Sequence, residues 1–330
     1  MLPSDFAPMV PAPQKSSATP PSVPAALRVL LSGLIDYAGL FPPAKLSLEE
    51  AARNFVRYAR GPHAWMLGKF VLPAAQLGEL RGRLIANPEA RGIPCALSVL
   101  LGAEPLREAE MVCAELMHSG GAEQDPFFIE AVEFRPGSPA MITEASLMLP
   151  RDLAVFCEVP YTEDLTVWLD AIHHAGWFAK IRTGGVTPEA FPSSAVLAEF
   201  MAQCKSHGVA FKATAGLHHP VRSEHPLTYE ANSVCGVMHG FLNVFVGAAL
   251  LECGIEQDQL VQILDDVHPA SFHFDGGFAK WNKLFVNEAD LARTRQHFAL
   301  SFGSCSFEEP ILDLQKLDLP KLDLEKLGLI

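Results

Sequence analysis

The chain has 330 residues, of which 49% are hydrophobic and 19% are charged, an apolar fraction that is ample for a packed core. Its 25 Lys and Arg residues against 38 Asp and Glu residues give a net charge of −13, which argues against nucleic-acid binding and against binding to an anionic membrane. No uninterrupted run of about 18 apolar residues occurs, so we expect no membrane-spanning helix.

The cysteines and the N-terminus indicate the compartment. The seven cysteines are scattered and include no Cys-x-x-Cys pair, which weighs against a zinc ribbon and against a redox dithiol. The N-terminus shows no basic patch followed by an apolar run, the mark of a secretory signal. We therefore predict a cytoplasmic protein.

Both ends of the chain differ in composition from its middle. Residues 1–24 are rich in Pro, Ser and Ala, and we predict a flexible arm there. Residues 304–330 carry the repeat Leu-Asp-Leu-x-Lys and are predicted to form a tail that lies over the surface or, alternatively, docks on a partner subunit. The repeats occupy 312–316, 317–321 and 322–326. A single catalytic domain is then expected at 28–303.

Between the ends, eight short apolar, β-branched or aromatic runs alternate with amphipathic stretches, which is typical of βα units around a parallel sheet. The runs are 34–37, 66–72, 95–101, 129–135, 153–159, 178–182, 209–214 and 271–275. The predicted helices include 48–60, 104–118, 162–175, 194–206 and 288–299. Eight units in about 280 residues predict an α/β fold of the (β/α)8 TIM-barrel class. The absence of GxGxxG and Walker patterns removes the usual function of the main rival, an open doubly wound sheet.

A long apolar stretch follows the seventh predicted strand. Residues 236–252 are apolar nearly all round, so we predict a buried helix there. The segment 217–235 before it is predicted to be an insertion that caps the barrel mouth.

Charged side chains lie within the predicted strands, where both faces are expected to be apolar and an ionised group is costly unless it is paired. Because alternate residues of a strand share a face, we expect the charged residues to converge on the barrel axis, near the carboxyl ends of the strands. The polar set is Lys69, Glu133, Arg135, Glu158, Lys180, Arg182, Lys212, Thr214, His273 and Asp275. A structural layer of salt bridges is the alternative interpretation.

Two of these residues point to covalent chemistry. A lysine is a nucleophile when its amine is neutral, and burial or a nearby cation favours the neutral form. Lys180 and Lys212 lie on strands that are predicted to be neighbours, so they would face one cavity, with Arg182 adding positive charge. This pattern predicts a Schiff-base lysine assisted by a second lysine, with Glu133, Glu158 or Asp275 moving protons.

The segments around these lysines resemble the deoxyribose-phosphate aldolase group of class I aldolases. Ala-Gly-Trp-Phe-Ala-Lys-Ile-Arg-Thr-Gly at 175–184 looks like the family's strand six, and Phe-Lys-Ala-Thr-Ala-Gly at 211–216 looks like its strand seven. The run 153–158 is similar to the family's strand five, which ends in glutamate, and Leu-Ile-Asp-Tyr at 34–37 is similar to its Ile-Asp-His opening. The resemblance implies a (β/α)8 barrel in which Lys180 forms the imine, Lys212 assists it and Asp36 joins the site.

The chain also departs from that family. Glu133 is the nearest counterpart of the family's catalytic aspartate on strand four, and Arg182 stands where the family has a small hydroxyl residue. The predicted strand eight, with His273 and Asp275, is unlike the family's Gly-Thr-Ser pattern. The sequence therefore predicts a relative that acts on a small carbonyl substrate rather than deoxyribose-phosphate aldolase itself.

We expect the remaining polar residues to contact the substrate. Arg182 would hold an anionic group, and glycine pairs after strands would let backbone N–H groups approach an anion. The full set of predicted contacts is Asp36, Lys69, Arg135, Arg182, Gly184, Thr214, His218, His273 and Gly276. We predict no cofactor, a small-molecule substrate and a possible homo-oligomer.

Two other functions remain open at this point. A divalent metal ion could be ringed at the barrel mouth, although no HExxH spacing occurs and the lysines would repel a cation. Its candidate ligands are Glu133, Glu158, His218, His219, His273 and Asp275. Alternatively, the barrel is a non-catalytic scaffold for the two terminal segments.

Overall fold

A computed structural model describes residues 23–119, 126–161 and 163–317. The described strands are β1 (Ile35–Tyr37), β2 (Leu67–Pro73), β3 (Ala96–Leu100), β4 (Phe128–Phe134), β5 (Ala154–Glu158), β6 (Phe178–Arg182), β7 (Phe211–Thr214), β8 (Ser223–Pro226), β9 (Cys235–Met238), β10 (Phe272–Asp275), β11 (Phe278–Trp281), β12 (Leu284–Asn287) and β13 (Ala299–Ser304). The described helices are α1 (Ala25–Leu31), α2 (Leu48–Ala59), α3 (Leu77–Ala86), α4 (Pro105–Ser119), α5 (Pro139–Ser146), α6 (Leu165–Ala175), α7 (Ser194–Ser206), α8 (Phe241–Glu252), α9 (Gln257–Asp265), α10 (Glu288–His297) and α11 (Glu308–Lys316).

Eight of the strands form a closed, all-parallel barrel in the order β1-β13-β7-β6-β5-β4-β3-β2. Helices alternate with these strands along the chain, which confirms the predicted (β/α)8 TIM barrel. Seven of the eight predicted strands are barrel strands, with boundaries that agree to within two residues.

Local sequence signals account for several helix boundaries. Ser47 and Glu50 form the capping box that begins α2, with both reciprocal hydrogen bonds present. Gly176 ends α6 in the left-handed conformation, at φ 70°. Residues 241–251 of α8 are all buried, as expected for a helix that is apolar on every side.

The predicted eighth strand is wrong. Residues 272–275 form β10, which pairs antiparallel with β11 in a three-stranded sheet completed by β12, and the last barrel strand is β13. The run alternates fully and partly buried residues and leads into Gly276 and Gly277, which is typical of a two-faced hairpin. A barrel strand is covered on both faces, so its residues need not alternate between fully and partly buried positions.

The correction moves three predicted site residues, which are His273, Asp275 and Gly276. β10 and β11 pack against α1, and Leu30 of that helix accepts a 2.8 Å hydrogen bond from Arg295. The Arg295 guanidinium also donates to the carbonyl of Ala299, the first residue of β13. The small sheet therefore lies toward the amino-terminal ends of the barrel strands, opposite to the end where we expected the site.

Two elements frame the carboxyl-terminal end of the barrel. β8 and β9 form an antiparallel hairpin between β7 and α8, in the segment predicted to cap the mouth. After β13 the chain turns into α11, so the first Leu-Asp-Leu-x-Lys repeat, at 312–316, is helical. Most of the other two repeats lies beyond the described residues, as do residues 1–22 of the predicted arm and Thr162 at the predicted start of a helix.

In the described parts of the chain, every helix is too short or too polar to cross a membrane.

Candidate active site

Lys180 and Lys212 lie side by side inside the barrel. They occupy paired register positions on β6 and β7, so their side chains leave neighbouring strands at the same height. Lys180 is 3% exposed and Lys212 is completely buried. The structure therefore brings together the two residues on which the predicted chemistry depends.

Three carboxylates alternate with the two lysines. Glu133 Oε2 lies 2.9 Å from Lys180 Nζ, while Glu133 Oε1 accepts a hydrogen bond from Lys212. On either side, Glu158 Oε2 lies 3.1 Å from Lys180 Nζ and Asp36 Oδ2 lies 2.5 Å from Lys212 Nζ. The result is an ion-pair row, Glu158–Lys180–Glu133–Lys212–Asp36, which crosses five strands of the barrel.

In this ion-pair row, the attraction between opposite charges affects the pKa values of the side chains more than burial does. Burial raises the pKa of Glu133, but Lys212 and Lys180 hold that pKa well below its usual range. The same balance lowers the pKa of Asp36 and of Glu158. Burial lowers the pKa of Lys212, but Asp36 and Glu133 outweigh it and raise that pKa. Lys212 is therefore a permanent cation at neutral pH, beside carboxylates that stay ionised.

Two serines that we did not predict support the ion-pair row. Ser98 Oγ donates to Glu133 Oε1 at 2.6 Å, and Ser301 Oγ donates to Asp36 Oδ2 at 2.8 Å. Ser98 could have been found, because it is a polar residue inside an otherwise apolar predicted strand. Ser301 was missed because it lies on β13, the barrel strand that the sequence analysis did not predict.

A cavity of about 260 Å³ opens above the ion-pair row at the carboxyl ends of the strands, and we call it the inner cavity. Lys180, Lys212 and Glu133 form part of its lining, together with Thr214 and Arg182. Arg182 donates from Nε to Glu158 Oε1 at 3.3 Å, and its side chain is 48% exposed. Arg182 therefore lies at the rim of the cavity, and the lysines lie at its base.

Some of the other predicted contact residues lie apart from the cavity. Lys69 Nζ is 3.3 Å from Glu130 Oε1 and 3.8 Å from Asp36 Oδ1, behind the ion-pair row. Arg135 follows β4 and is exposed. A side chain on Gly184 would collide with Gly216, since a Cβ there would lie 2.8 Å from the Gly216 Cα. Gly184 thus serves close packing of two loops.

A second pocket of about 310 Å³ adjoins the inner cavity on the solvent side, and we call it the outer pocket. The β8–β9 hairpin contributes His225 and Tyr229 to its wall, and α11 contributes Glu309. His219 and His225 stack there with ring centroids 3.3 Å apart, and burial lowers the pKa of both. The predicted insertion therefore helps to form the mouth of the barrel.

His218 lies between the two spaces and lines both of them. Its Nδ1 is 2.8 Å from Glu309 Oε2, and its Nε2 is 3.9 Å from the Sγ of Cys305. Burial lowers the pKa of His218, but its hydrogen bonds to Cys305 and Glu309 raise it to about 10. Cys305 and Glu309 carried no local signal, because both belong to the segment predicted to be a surface tail.

The predicted metal ligands do not come together. His273 and Asp275 lie on the small sheet, while Glu133 and Glu158 bind lysines. His219 Nδ1 lies 2.6 Å from Asp313 Oδ2 of α11. In the described ranges, no group of three or more His, Cys, Asp and Glu side chains is arranged to hold a metal ion.

Comparison with protein-family models, with curated proteins and with solved structures found no match to this chain.

Proposed function

We propose that this protein is an aldolase-like lyase in which Lys180 forms a Schiff base with a small carbonyl substrate. The difference between the two lysines carries the proposal. Both lysines line the inner cavity, but Lys212 is completely buried and held between Asp36 and Glu133, whereas Lys180 lies at the less buried end of the ion-pair row. A fixed cation beside a cavity-facing amine supports the roles of electrostatic partner and nucleophile respectively.

The first step is transfer of a proton from Lys180. Glu158 Oε2 lies 3.1 Å from Lys180 Nζ and is the most exposed carboxylate of the ion-pair row, so it accepts this proton directly or through water. The neutral amine attacks the carbonyl carbon, one amine proton passes to the carbonyl oxygen, and the proton held by Glu158 returns to that oxygen, which leaves as water. The resulting iminium has the charge of the ammonium that it replaces, so the ion-pair row stays balanced.

The iminium then serves as the electron sink. The bond between the second and third carbons of the substrate breaks, and its electron pair forms the carbon–carbon double bond of an enamine on Lys180. A hydroxyl on the third carbon gives its proton to Glu158, directly or through water, and becomes the carbonyl of the departing fragment. The reverse sequence forms the same bond, so the site serves either direction.

The cavity limits the substrate. Its volume of about 260 Å³ lies just below the roughly 300–1,000 Å³ of typical small-molecule sites, which suits a substrate of a few carbons. Arg182 at the rim has five N–H donors, of which Nε is directed to Glu158. The other donors of Arg182 suit an anionic group at the end of the substrate remote from Lys180.

Borohydride reduction tests this proposal directly. The protein is incubated with propanal, glyceraldehyde or pyruvate, reduced, and analysed by intact mass and peptide mapping. We expect a stable adduct on Lys180 with at least one of these compounds. Reduction converts the imine into a secondary amine, so the mass gain identifies the compound that reacted.

Two variants give the result its meaning. Lys180→Met is expected to lose the adduct, while Lys283→Met, which changes an exposed lysine between β11 and β12, is expected to keep it. Circular dichroism checks that the Lys180 variant is folded. An adduct of equal yield in folded Lys180→Met would contradict the proposal, and the absence of any adduct in the unmodified protein would favour a scaffold role.

A further inference from the structure

A line of three titratable side chains connects the inner cavity with the outer pocket. Cys305 lines the inner cavity, Glu309 lines the outer pocket and His218 lines both. The two contacts of His218 continue this line, with 3.9 Å from Nε2 to Cys305 Sγ and 2.8 Å from Nδ1 to Glu309 Oε2. The hydroxyl of Tyr229 lies 3.8 Å from the same sulfur and 3.4 Å from the same carboxylate.

Glu158 serves the proton of Lys180, so the proton on the carbon next to the imine needs a further carrier. Both oxygens of Glu133 are occupied, by Lys180 on one side and by Lys212 and Ser98 on the other. Glu158 likewise binds Lys180 and Arg182. Apart from the ion-pair row and Arg182, the titratable side chains among the described residues that line the inner cavity are His218 and Cys305.

Cys305 lies beside an imidazole that a carboxylate holds in place. A protonated imidazole beside a sulfur is the environment in which cysteine thiols react as thiolates. His218 is protonated at neutral pH, because Glu309 and Cys305 raise its pKa to about 10 against the effect of burial. The arrangement of thiol, imidazole and carboxylate has the order of an activated cysteine, in which the carboxylate orients the ring.

We propose that Cys305, His218 and Glu309 form a proton relay between the two spaces, in which Cys305 removes and returns the proton on the carbon next to the Lys180 imine. The inference rests on the proposed function, since it gives the enamine step its acid and base. Cys305 is the catalytic residue of the relay. His218 exchanges the proton of Cys305 with the outer pocket and Glu309 orients the His218 ring, so both act through Cys305 and are positioning residues.

The step is balanced without an oxidant or reductant. The Cys305 thiolate takes a proton from the carbon next to the iminium, and the electron pair of that C–H bond becomes the second bond of the enamine. The π electrons of the iminium move to its nitrogen, which becomes neutral. In the reverse step the Cys305 thiol returns a proton to carbon, while His218 stabilises the thiolate that is left.

Deuterium exchange isolates this step from imine formation. The protein is incubated with propanal in D₂O, and loss of the C2 protons is followed by NMR, while borohydride trapping on parallel samples measures the imine on Lys180. We expect Cys305→Ser to trap the imine as the unmodified protein does and to exchange about 100-fold more slowly. Cys253→Ala, at an exposed cysteine just after α8, is expected to match the unmodified protein in both measurements.

Two further variants test the positioning residues. His218→Asn is expected to slow exchange about tenfold or more while leaving the imine in place. In Glu309→Gln the imidazolium loses its carboxylate, so His218 gives up its proton at lower pH. The exchange rate is expected to fall at high pH, where His218 loses its proton. In Glu309→Gln this fall should begin at lower pH, which a merely structural role would not produce.

The outcomes separate the two proposals. If propanal forms no imine on Lys180, the relay assigned to that imine is overturned, and the wider panel of carbonyl compounds decides the proposed function. If the imine forms but Cys305→Ser and His218→Asn exchange as fast as the unmodified protein, only the relay is overturned. Slow exchange with normal trapping in both variants supports it.

Discussion

At the scale of single residues, the candidate site depends on one carboxylate. Glu133 binds Lys180 with one oxygen and Lys212 with the other, so it neutralises two buried cations at once. Both contacts were within reach of sequence reasoning, because charges at alternate positions of predicted strands must face a common axis. The hydrogen bond from Ser98 was not predicted, although Ser98 is a polar residue inside an otherwise apolar predicted strand.

Replacement of Glu133 should therefore destabilise the fold strongly. We expect Glu133→Gln to lower the free energy of unfolding by about 3–5 kcal/mol, because two buried ammonium groups lose their shared counter-charge. Glu130→Gln is the matched control on the same strand, since its carboxylate is 49% exposed and pairs with Lys69. It should cost less than about 1 kcal/mol. Urea unfolding measures both values, and equal costs would contradict this account of Glu133.

A second residue-scale prediction concerns Gly216 at the end of β7. Its φ of 75° disfavours any other residue, and a Cβ there would lie 2.8 Å from the Cα of Gly184. At Gly176, where φ is 70°, an added Cβ would have no atom within 4 Å, so a substitution there carries only the conformational cost. We expect Gly176→Ala to cost about 1–2 kcal/mol and Gly216→Ala clearly more, as measured by thermal unfolding. Equal losses would show that the loops yield without cost.

At the scale of elements, α11 is the part of the chain for which the sequence carried the weakest signal of secondary structure. A five-residue repeat matches neither the helical nor the strand period, which favoured a surface tail, yet residues 308–316 are helical. Two hydrogen-bonded pairs join α11 to the loop after β7, namely His218 with Glu309 and His219 with Asp313. Such contacts between distant segments give no local pattern from which they could be predicted.

The contact of α11 with His218 predicts a pH dependence of stability. Because the pKa of His218 is raised from 6.5 to about 10, its stabilising contribution is complete below pH 6.5 and is lost as the pH rises to about 10. The loss is at most about 1.4 kcal/mol per pH unit. Urea unfolding at pH 6.5, 8 and 10 should therefore show that the free energy of unfolding of the unmodified protein exceeds that of His218→Gln by less and less as the pH rises.

The surface pair between α2 and α11 provides the control for that prediction. Arg57 Nη1 lies 2.9 Å from Glu308 Oε1, and both side chains are more than half exposed. Arg57→Gln should cost less than about 1 kcal/mol, with no change in that cost between pH 6.5 and 10. A constant difference between His218→Gln and the unmodified protein across this range would refute the role given to His218.

At the scale of the whole molecule, closure of the barrel decides which residues share the site. The last barrel strand follows the three-stranded sheet in the chain, so His273 and Asp275 lie toward the opposite end of the barrel from Lys180. The short β10 run has the aromatic residues expected of a strand, but strand content alone does not distinguish an inserted hairpin from a barrel strand.

This placement predicts that Asp275 takes no part in the lysine chemistry. Asp275→Asn should form the borohydride-reducible adduct at the same rate as the unmodified protein. Glu158→Gln removes the carboxylate 3.1 Å from Lys180 Nζ and should slow adduct formation about tenfold or more. Intact-mass time courses measure both rates. Slower adduct formation by the Asp275→Asn variant would contradict the placement of Asp275 away from the site.

From the residues alone, short periodicities were enough to predict the alternation of strands and helices and seven of the barrel strands. Because consecutive units are usually neighbours, the sequence also predicted that Lys180 and Lys212 lie close together. Which run closes the barrel, and which distant side chains complete the site, became known only from the folded chain. Ser301 lies 265 residues from Asp36, and Cys305 lies 87 residues from His218. Contacts over such separations depend on how the whole chain packs, which no local period records.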